Sequence, residues 1–547
     1  MGNADISSET SSNAGKPCDY SRPLGNTEEN WLRAVNGGTG NTVVGVLVSL
    51  EVKREALQNA VNSVQKKHPR LRSQLVFVDG RPHFQTTASG VVEVEVIENI
   101  PDSIAASSDC NGEGSEEFLD DSFEIGRRCS MDNGGKIAAV EEEGMERSES
   151  GRNGYKMSLC QDHWLRIVES AMNEPWKCDE SSVGGEAASL LCFRLYRLHE
   201  GRSLILFRAH TSVCDRKSAG IVVEDLLSFL DDEVNGNGSR SDLGSTNGCS
   251  VNELGLKATD QAGESQSADL PVQQSLKAVE DCIPPELSKK PFWAHGLDVV
   301  GYGLNSRRYA WLPFHDSSSE RQSALIRSGL SRSDTERLKQ ACEKHNITVF
   351  AAVAGAALKA VASVKELGRK GEHFAVTTFL DCRSLLPHEI TLDTVGFYHS
   401  AMMHTHQVSE TAGFWNLAKR CHESSLHAIK NRKHYTDMGD LNMLMAQAIF
   451  HPQLTPASSL RTSTVCSFWD ALHEKMQRFV DRLGVEDYVG CSSVHGVGPC
   501  FAIFDSFRED GLHLSNVYPT PLFSHTMMRQ VVTRMMEFLQ EACDGAE

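Results

Sequence analysis

The pattern of apolar and polar positions divides the chain into short strands and amphipathic helices. Residues 42–50 (TVVGVLVSL) are rich in β-branched side chains, which favour a strand. Residues 54–67 place apolar side chains at helical spacing, which predicts a helix with one buried face. Pro69 ends this helix, and residues 71–78 predict a second strand that runs into an Asp-Gly turn. The first ordered unit is therefore strand, helix, strand.

The same two periodicities continue through the rest of the ordered sequence. Further strands are predicted at 190–198, 203–208, 374–380 and 395–405, and further helices at 218–230, 331–344, 349–364 and 524–543. The two halves of the chain are similar in size and kind, although they share no short repeat.

Three stretches lack sustained periodicity and are rich in Gly, Ser, Asn or acidic residues. We expect a disordered leader at 1–20, an acidic insertion at 102–156 and a disordered acidic linker at 231–300. These stretches predict a first folded half at 21–230, interrupted by the insertion, and a second at 301–547. A chain of 547 residues is long enough for two such units.

The net charge of −19 excludes the basic surface that nucleic-acid binding requires. Residues 102–154 contribute −9 and residues 231–290 contribute −6, so the acidity belongs to predicted loops and says little about a substrate.

The sixteen cysteines include no C-x-x-C pair, and the first residues lack the features of a secretory signal. Reduced thiols and a cytoplasmic location are therefore expected. The longest apolar stretch, 348–364, contains Lys359 and many alanines, which predicts a packed helix and no membrane span.

The segment 206–216 (LFRAHTSVCDR), between a predicted strand and a predicted helix, resembles the H-H-x-x-x-D-G signature of the CoA-dependent acyltransferase superfamily. That superfamily includes chloramphenicol acetyltransferase, alcohol acetyltransferases, plant acyltransferases and the condensation domains of peptide synthetases. Other segments similar to the family follow in the expected order: 22–25 (RPLG), 65–72 (QKKHPRLR), 381–383 (DCR), 395–398 (VGFY) and Gly498-Pro499. The plant-type D-F-G-W-G segment is missing, which favours the alcohol acetyltransferase or condensation-domain branch.

The resemblance covers about residues 22 to 545 apart from the two acidic stretches. It implies an α/β fold of two chloramphenicol acetyltransferase-like lobes, each a mixed sheet with flanking helices. A tunnel at the lobe interface would admit the acyl donor and the acceptor from opposite sides.

Acyl transfer from a thioester to an alcohol or amine needs a base for the acceptor's proton, and imidazole has a suitable pKa. In the family this base is the second histidine of the signature. Here His210 aligns with the first histidine, Thr211 with the catalytic one and Arg216 with the glycine. A threonine hydroxyl is too weak a base, and neighbouring residues on a strand point to opposite faces.

Two interpretations of His210 follow. If the sequence is aligned with the family motif one residue earlier, His210 becomes the catalytic base. In that alignment His210 and Cys214 are four residues apart, as the catalytic histidine and the aspartate are in the family, and Asp215 next to Cys214 could supply the ion pair. The alternative is a buried structural histidine. Cys214 is either a nucleophile beside His210 or, as is more common, a buried small hydrophobic residue.

The family's aspartate forms a structural ion pair with an arginine from the second half, and the resemblance assigns these roles to Asp215 and Arg383. A solvated Asp215 is the alternative. Arg216, which replaces a glycine, implies either a strained left-handed backbone or a changed backbone at this point. An ordinary solvent-facing ion pair is the alternative.

Ser492, Ser493 and His495 lie where the family has polar residues lining the tunnel, and they are candidates for contact with an acceptor. An ordinary turn is the alternative. His399, His404 and His406 share one predicted strand, but no nearby carboxylate or thiol completes a metal site, so no metal is predicted.

Two functions remain open. The first is an acyltransferase that takes a thioester donor, most simply acyl-CoA as co-substrate, and an alcohol or amine acceptor, with no bound cofactor. The second is a catalytically impaired protein of the same fold that acts in ligand binding or as a scaffold. A condensation domain of an assembly line is less favoured, because no carrier or adenylation segment shares the sequence. Small molecules are the expected partners, and protein partners are not predicted.

Overall fold

The computed structural model describes residues 18–90, 92–99, 156–158, 163–176, 187–236, 276–306, 308–310, 312–386, 390–450 and 473–545. Residues 1–17 of the expected leader, residues 102–155 of the insertion and residues 237–275 of the expected linker lie outside these ranges. Residues 18–20 of the expected leader are not disordered but begin the first strand.

The strands are β1 (Cys18–Pro23), β2 (Thr39–Val48), β3 (Ser73–Val78), β4 (Arg81–Thr87), β5 (Val94–Ile97), β6 (Lys156–Ser158), β7 (Ala188–Ser189), β8 (Leu191–Arg197), β9 (Ser203–His210), β10 (Gln322–Ser331), β11 (Glu372–Asp381), β12 (His399–Val408), β13 (Val485–Val494), β14 (Ala502–Arg508) and β15 (Gly511–Thr520).

The helices are α1 (Asn26–Asn36), α2 (Arg54–Lys67), α3 (His163–Asn173), α4 (Arg216–Asn235), α5 (Val279–Cys282), α6 (Pro285–Ser288), α7 (Phe292–Ser306), α8 (Arg332–Lys344), α9 (Val349–Val364), α10 (Phe414–Lys430), α11 (Lys433–Thr436), α12 (Met438–Phe450), α13 (His473–Leu483) and α14 (His525–Cys543).

The main sheet of the first lobe has the strand order β13-β2-β9-β8-β5, with only the β5–β8 pair parallel. All ten residues of β2 are buried. Val44 and Val46 belong to the core beneath α2 and α4, whereas Val43 and Leu47 pack with α3 towards the second lobe. Apolar side chains on both faces explain why this strand has a continuous apolar sequence.

The chain crosses between the lobes. β13, from the second half of the sequence, pairs with β2, so that Ser492 lies opposite Thr42. In return, β6 from the first half pairs with β10 of the sheet ordered β14-β15-β10-β6. These exchanges join the lobes through backbone hydrogen bonds as well as through packing.

The second lobe is built around α9, whose small side chains allow close packing. A Cβ added to Gly355 would lie only 3.0 Å from Cα of Ala418 in α10. α9 also packs on α14, and both helices belong to one large apolar core. The hairpin of β11 and β12 completes the lobe and forms one wall of the cavity described below.

The expected linker at 231–300 requires correction. Residues 231–235 complete α4, and α5, α6 and most of α7 lie between residues 279 and 300. Val279 and Ile283 are buried against Tyr398. The acidic composition of the wider stretch obscured this short apolar pattern.

Among the described residues no single helix has the length and apolar composition of a membrane span. α8 and α9 meet that requirement only as a pair bent by 98°. The nine cysteines whose side chains the structure describes are free thiols.

Candidate active-site cavity

A cavity of about 350 Å³ lies between the lobes. Its walls come from α1, β2 and the loop after β9 on one side, and from β11, β12, α7, α12 and the β13–β14 region on the other. Most of the wall is apolar, with the aromatic and methionine side chains of Trp31, Phe379, Phe397, Met403, Met438, Met445 and Phe504. Such a surface suits a hydrocarbon chain.

The loop after β9 brings the motif to this cavity. β9 ends at His210, and α4 begins at Arg216 with Asp215 as its N-cap, whose Oδ1 accepts a hydrogen bond from Ser218 N at 2.8 Å. Thr211, Asp215 and Arg216 line the cavity, whereas His210 and Cys214 do not.

Asp215 is held by donors from both lobes. Arg383 Nη2 lies 3.0 Å from each carboxylate oxygen, and Tyr398 N donates to Oδ2 at 2.9 Å. Burial by itself raises the pKa of Asp215, but the charge of Arg383 and the hydrogen bonds outweigh it and lower the pKa below its ordinary value. Asp215 therefore remains a carboxylate at neutral pH.

Arg383 is also fixed on its other side. Its Nη1 lies 2.8 Å from Asp381 Oδ1, and its Nε donates to Thr394 O at 2.9 Å. Arg383 as a whole is 1% exposed. The structure thus places a buried, multiply bonded ion pair of Asp215 and Arg383 across the lobe interface.

His210 points away from the cavity. Its ring is fully buried and packs against Trp176, with ring centroids 6.0 Å apart. Nδ1 accepts from Ser212 N at 3.2 Å and lies 2.7 Å from Ser212 Oγ, while Nε2 has no hydrogen-bond partner among the described residues. Burial and the nearby Arg208 lower the pKa of His210 to about 3. This is the environment of a neutral, structural imidazole.

Thr211 faces the cavity, as the strand alternation predicts. Its hydroxyl proton is already used in a hydrogen bond to the protein backbone. Thr211 Oγ1 donates to Gly40 O, so it accepts from Thr42 Oγ1, which is 3.0 Å away. Thr42 Oγ1 in turn accepts from Ser492 Oγ at 2.9 Å, because each hydroxyl has one proton. A chain of three hydroxyls, those of Thr211, Thr42 and Ser492, therefore lies at the cavity wall.

Arg216 is the first residue of a regular helix and has no positive φ. Its guanidinium lies over the ring of Phe504 at 5.0 Å, within the cavity wall. Cys214 is fully buried, and burial raises the pKa of its thiol well above the ordinary value, as expected for a small packed side chain.

Two of the three tunnel candidates line the cavity. These are Ser492 and Ser493, the latter accepting a hydrogen bond from Asn41 N at 3.0 Å. His495 lies behind the wall instead, where Nδ1 is 3.0 Å from Ser323 Oγ and burial lowers its pKa to about 4.

Sequence reasoning overlooked the importance of His399, which it grouped with His404 and His406. His399 is the first residue of β12 and lines the cavity, with Nε2 3.8 Å from Asp215 Oδ2. His404 and His406 lie farther along β12 and are not part of the cavity wall. The one available signal was position, because His399 directly follows the family-like segment 395–398.

Among the described residues, one acidic group has the spacing of a metal site, namely Asp298, Asp437 and Asp440. Lys290 occupies it, with Nζ 2.9 Å from oxygens of both Asp437 and Asp440. This arrangement is a salt-bridge network that holds α7 on α12, and it offers no open position for an ion.

No family model and no curated protein matches the sequence. Solved structures do match over almost the whole chain. The first condensation domain of the calcium-dependent antibiotic synthetase, in complex with a substrate analogue, is 13% identical, with 97% of this chain and 98% of that one covered and a TM-score of 0.57.

Two further structures give the same result. Polyketide synthase associated protein 5 from Mycobacterium tuberculosis is 13% identical over 96% of this chain and 98% of that one, with a TM-score of 0.58. SgcC5 protein from Streptomyces globisporus is 13% identical over 96% and 99%, with a TM-score of 0.56. The chain therefore has the two-lobe α/β fold of these solved structures, which confirms the fold that the motif resemblance implied.

Proposed function

We propose that this protein transfers an acyl group from a thioester donor, most simply acyl-CoA, to an alcohol or amine acceptor. The observation that carries the proposal is the apolar cavity between the lobes, with the loop between β9 and α4 in its wall. The condensation-domain fold supports acyl or peptidyl transfer as the general chemistry. The cavity volume lies near the lower end of the range for small-molecule sites.

In this proposal the apolar and the polar parts of the cavity wall have different roles. The apolar and aromatic side chains hold the acyl chain, since burial of each methylene contributes about 0.8 kcal/mol. The hydroxyls of Thr42, Thr211 and Ser492 form a polar strip on the opposite wall. Because the proton of Ser492 Oγ goes to Thr42, this oxygen can accept a hydrogen bond from the hydroxyl or amine of an acceptor.

The second candidate function is binding of an acyl ligand without turnover. Its support is the state of the motif, since His210 is buried outside the cavity and the proton of Thr211 is committed to Gly40. In this alternative the cavity would bind the same acyl chains, and acyl-CoA would be neither hydrolysed nor transferred.

The experiment uses acyl-CoA donors from acetyl to palmitoyl with mixed alcohol and amine acceptors, measuring release of CoA and formation of acylated product. Ala401→Phe, on the β12 wall, is the test variant. Its phenyl ring takes the space of several methylenes, so KM for long-chain donors is expected to rise about tenfold or more. Gln407→Phe, exposed on the same face of β12 beyond the cavity wall, is the matched control and should leave KM unchanged.

Product formation that falls in Ala401→Phe and persists in Gln407→Phe supports acyl transfer in this cavity. Tight donor binding with no product from any donor would establish the binding function instead. Equal KM values in both variants would place the acyl chain elsewhere and overturn the proposal.

A further inference from the structure

An imidazole from the second lobe lies beside the aspartate of the motif. His399 starts β12 directly opposite Asp381 on β11, and this register places its ring beside the motif aspartate. Its Nε2 is 3.8 Å from Asp215 Oδ2, and its side chain forms part of the cavity wall. Among the described residues that line the cavity, His399 is the sole histidine.

The contacts of Asp215 define what it can do for this ring. Both carboxylate oxygens already accept hydrogen bonds from Arg383 and from backbone N–H groups, so the carboxylate stays charged. A separation of 3.8 Å is that of an ion pair rather than a hydrogen bond. Asp215 therefore stabilises a positive charge on His399 once the ring has taken up a proton.

The surroundings keep the resting imidazole neutral. Four charged groups act on His399, namely Asp215, Asp381, Arg383 and Lys217, two of each sign. Burial is the largest influence and lowers the pKa of His399 below the ordinary 6.5, opposed by the two carboxylates and assisted by the two cations. A neutral ring at pH 7 can accept a proton.

We propose that His399, with Asp215 as its counter-ion, is the general base of the reaction and replaces the missing motif histidine. This inference rests on the proposed acyl transfer. The acceptor oxygen or nitrogen attacks the thioester carbonyl and forms the new C–O or C–N bond, while His399 takes the acceptor's proton. The C–S bond then breaks, and the imidazolium returns the proton to the leaving thiolate.

The test compares His399→Gln with His210→Gln as the matched control. Removing a general base typically costs 10²- to 10⁴-fold in rate. We expect His399→Gln to lower kcat/KM by about that factor, with donor affinity changed by less than about threefold. His210→Gln, outside the cavity, should retain kcat/KM within about threefold.

The pH profile supplies a readout that a structural role would not change. In the intact protein kcat/KM should fall with decreasing pH, with a midpoint below 6.5, because protonation removes the base. His399→Gln should lack this acid limb over the range in which circular dichroism shows both proteins folded. The intact protein's profile remains decisive if the variant does not fold.

The outcomes separate this inference from the function on which it rests. If the intact protein forms product and His399→Gln keeps its rate and acid limb, His399 is not the base while acyl transfer stands. A profile of the intact protein that stays flat from pH 8 down to the pH at which the protein unfolds would also overturn the inference. If the intact protein binds donors but forms no product, the proposed function itself fails.

Discussion

Lowering the pH from 6.5 to 4 is expected to destabilise the folded protein steeply. The cause is a set of buried or half-buried histidines whose pKa is lowered chiefly by loss of contact with water, to about 3 for one and about 4 for four others: His210, His404, His406, His434 and His495. In the unfolded chain the same imidazoles titrate near pH 6.5. Between these values the unfolded chain binds more protons than the folded protein, so stability falls as the pH falls.

The expected effect is large relative to the stability of a typical domain. Each of the five protons contributes about 1.4 kcal/mol per pH unit, which gives a slope near 7 kcal/mol per pH unit at its steepest. A total stability of about 5–15 kcal/mol would be lost within one or two pH units. Acid unfolding is therefore expected with a midpoint above pH 4.

Urea unfolding at intervals of half a pH unit measures this slope directly. His495→Gln keeps a group that can hydrogen-bond Ser323 and removes one titrating ring. The change of its unfolding free energy with pH should therefore be smaller by the contribution of one proton, about 1.4 kcal/mol per pH unit. An intact protein that remains equally stable between pH 6.5 and 4 would show that these rings titrate normally in the folded state.

Loss of the Asp215–Arg383 pair is the second large effect expected. Asp215→Asn leaves the buried guanidinium of Arg383 with only the partly exposed Asp381 as counter-charge. Breaking a buried pair by removing one partner typically costs about 3–5 kcal/mol. We expect that loss in the free energy of unfolding, and a similar loss for Arg383→Met.

The double variant Asp215→Asn/Arg383→Met should lose less than the sum of the single variants, by about 1–3 kcal/mol, because neither group is left charged alone. Glu423→Gln breaks the exposed pair of Lys419 and Glu423 on α10 and should have no measurable effect. Additive losses, or equal small losses at the buried and exposed pairs, would contradict the role assigned to the cross-lobe pair.

Local sequence signals predicted the elements with strong periodicity. The bounds of α2 and α9 agree with the predictions, because a long apolar face at helical spacing is hard to mistake. The crossing of β13 into the first sheet was not predictable, since a strand's partner depends on contacts between residues more than 400 positions apart. The helices α5 to α7 were missed because their apolar residues lie within an acidic stretch.

In the candidate site, too, some features were predictable from the sequence and others were not. Strand alternation alone placed His210 and Thr211 on opposite sides. The pairing of Asp215 with Arg383 came from the family resemblance. Only its place after segment 395–398 marked His399 in the sequence, because its position in the site depends on the register of β11 with β12 and on the approach of β12 to Asp215, the N-cap of α4. A missing motif residue is thus a reason to search the opposite lobe.

A crystal structure with a non-hydrolysable thioether analogue of a long-chain acyl-CoA would test the central claim most directly. We expect the hydrocarbon chain to lie among the apolar side chains between the lobes, with the carbon next to sulfur within contact distance of the His399 ring. An analogue bound outside this cavity, or one whose sulfur end lies far from both His399 and Asp215, would contradict the account.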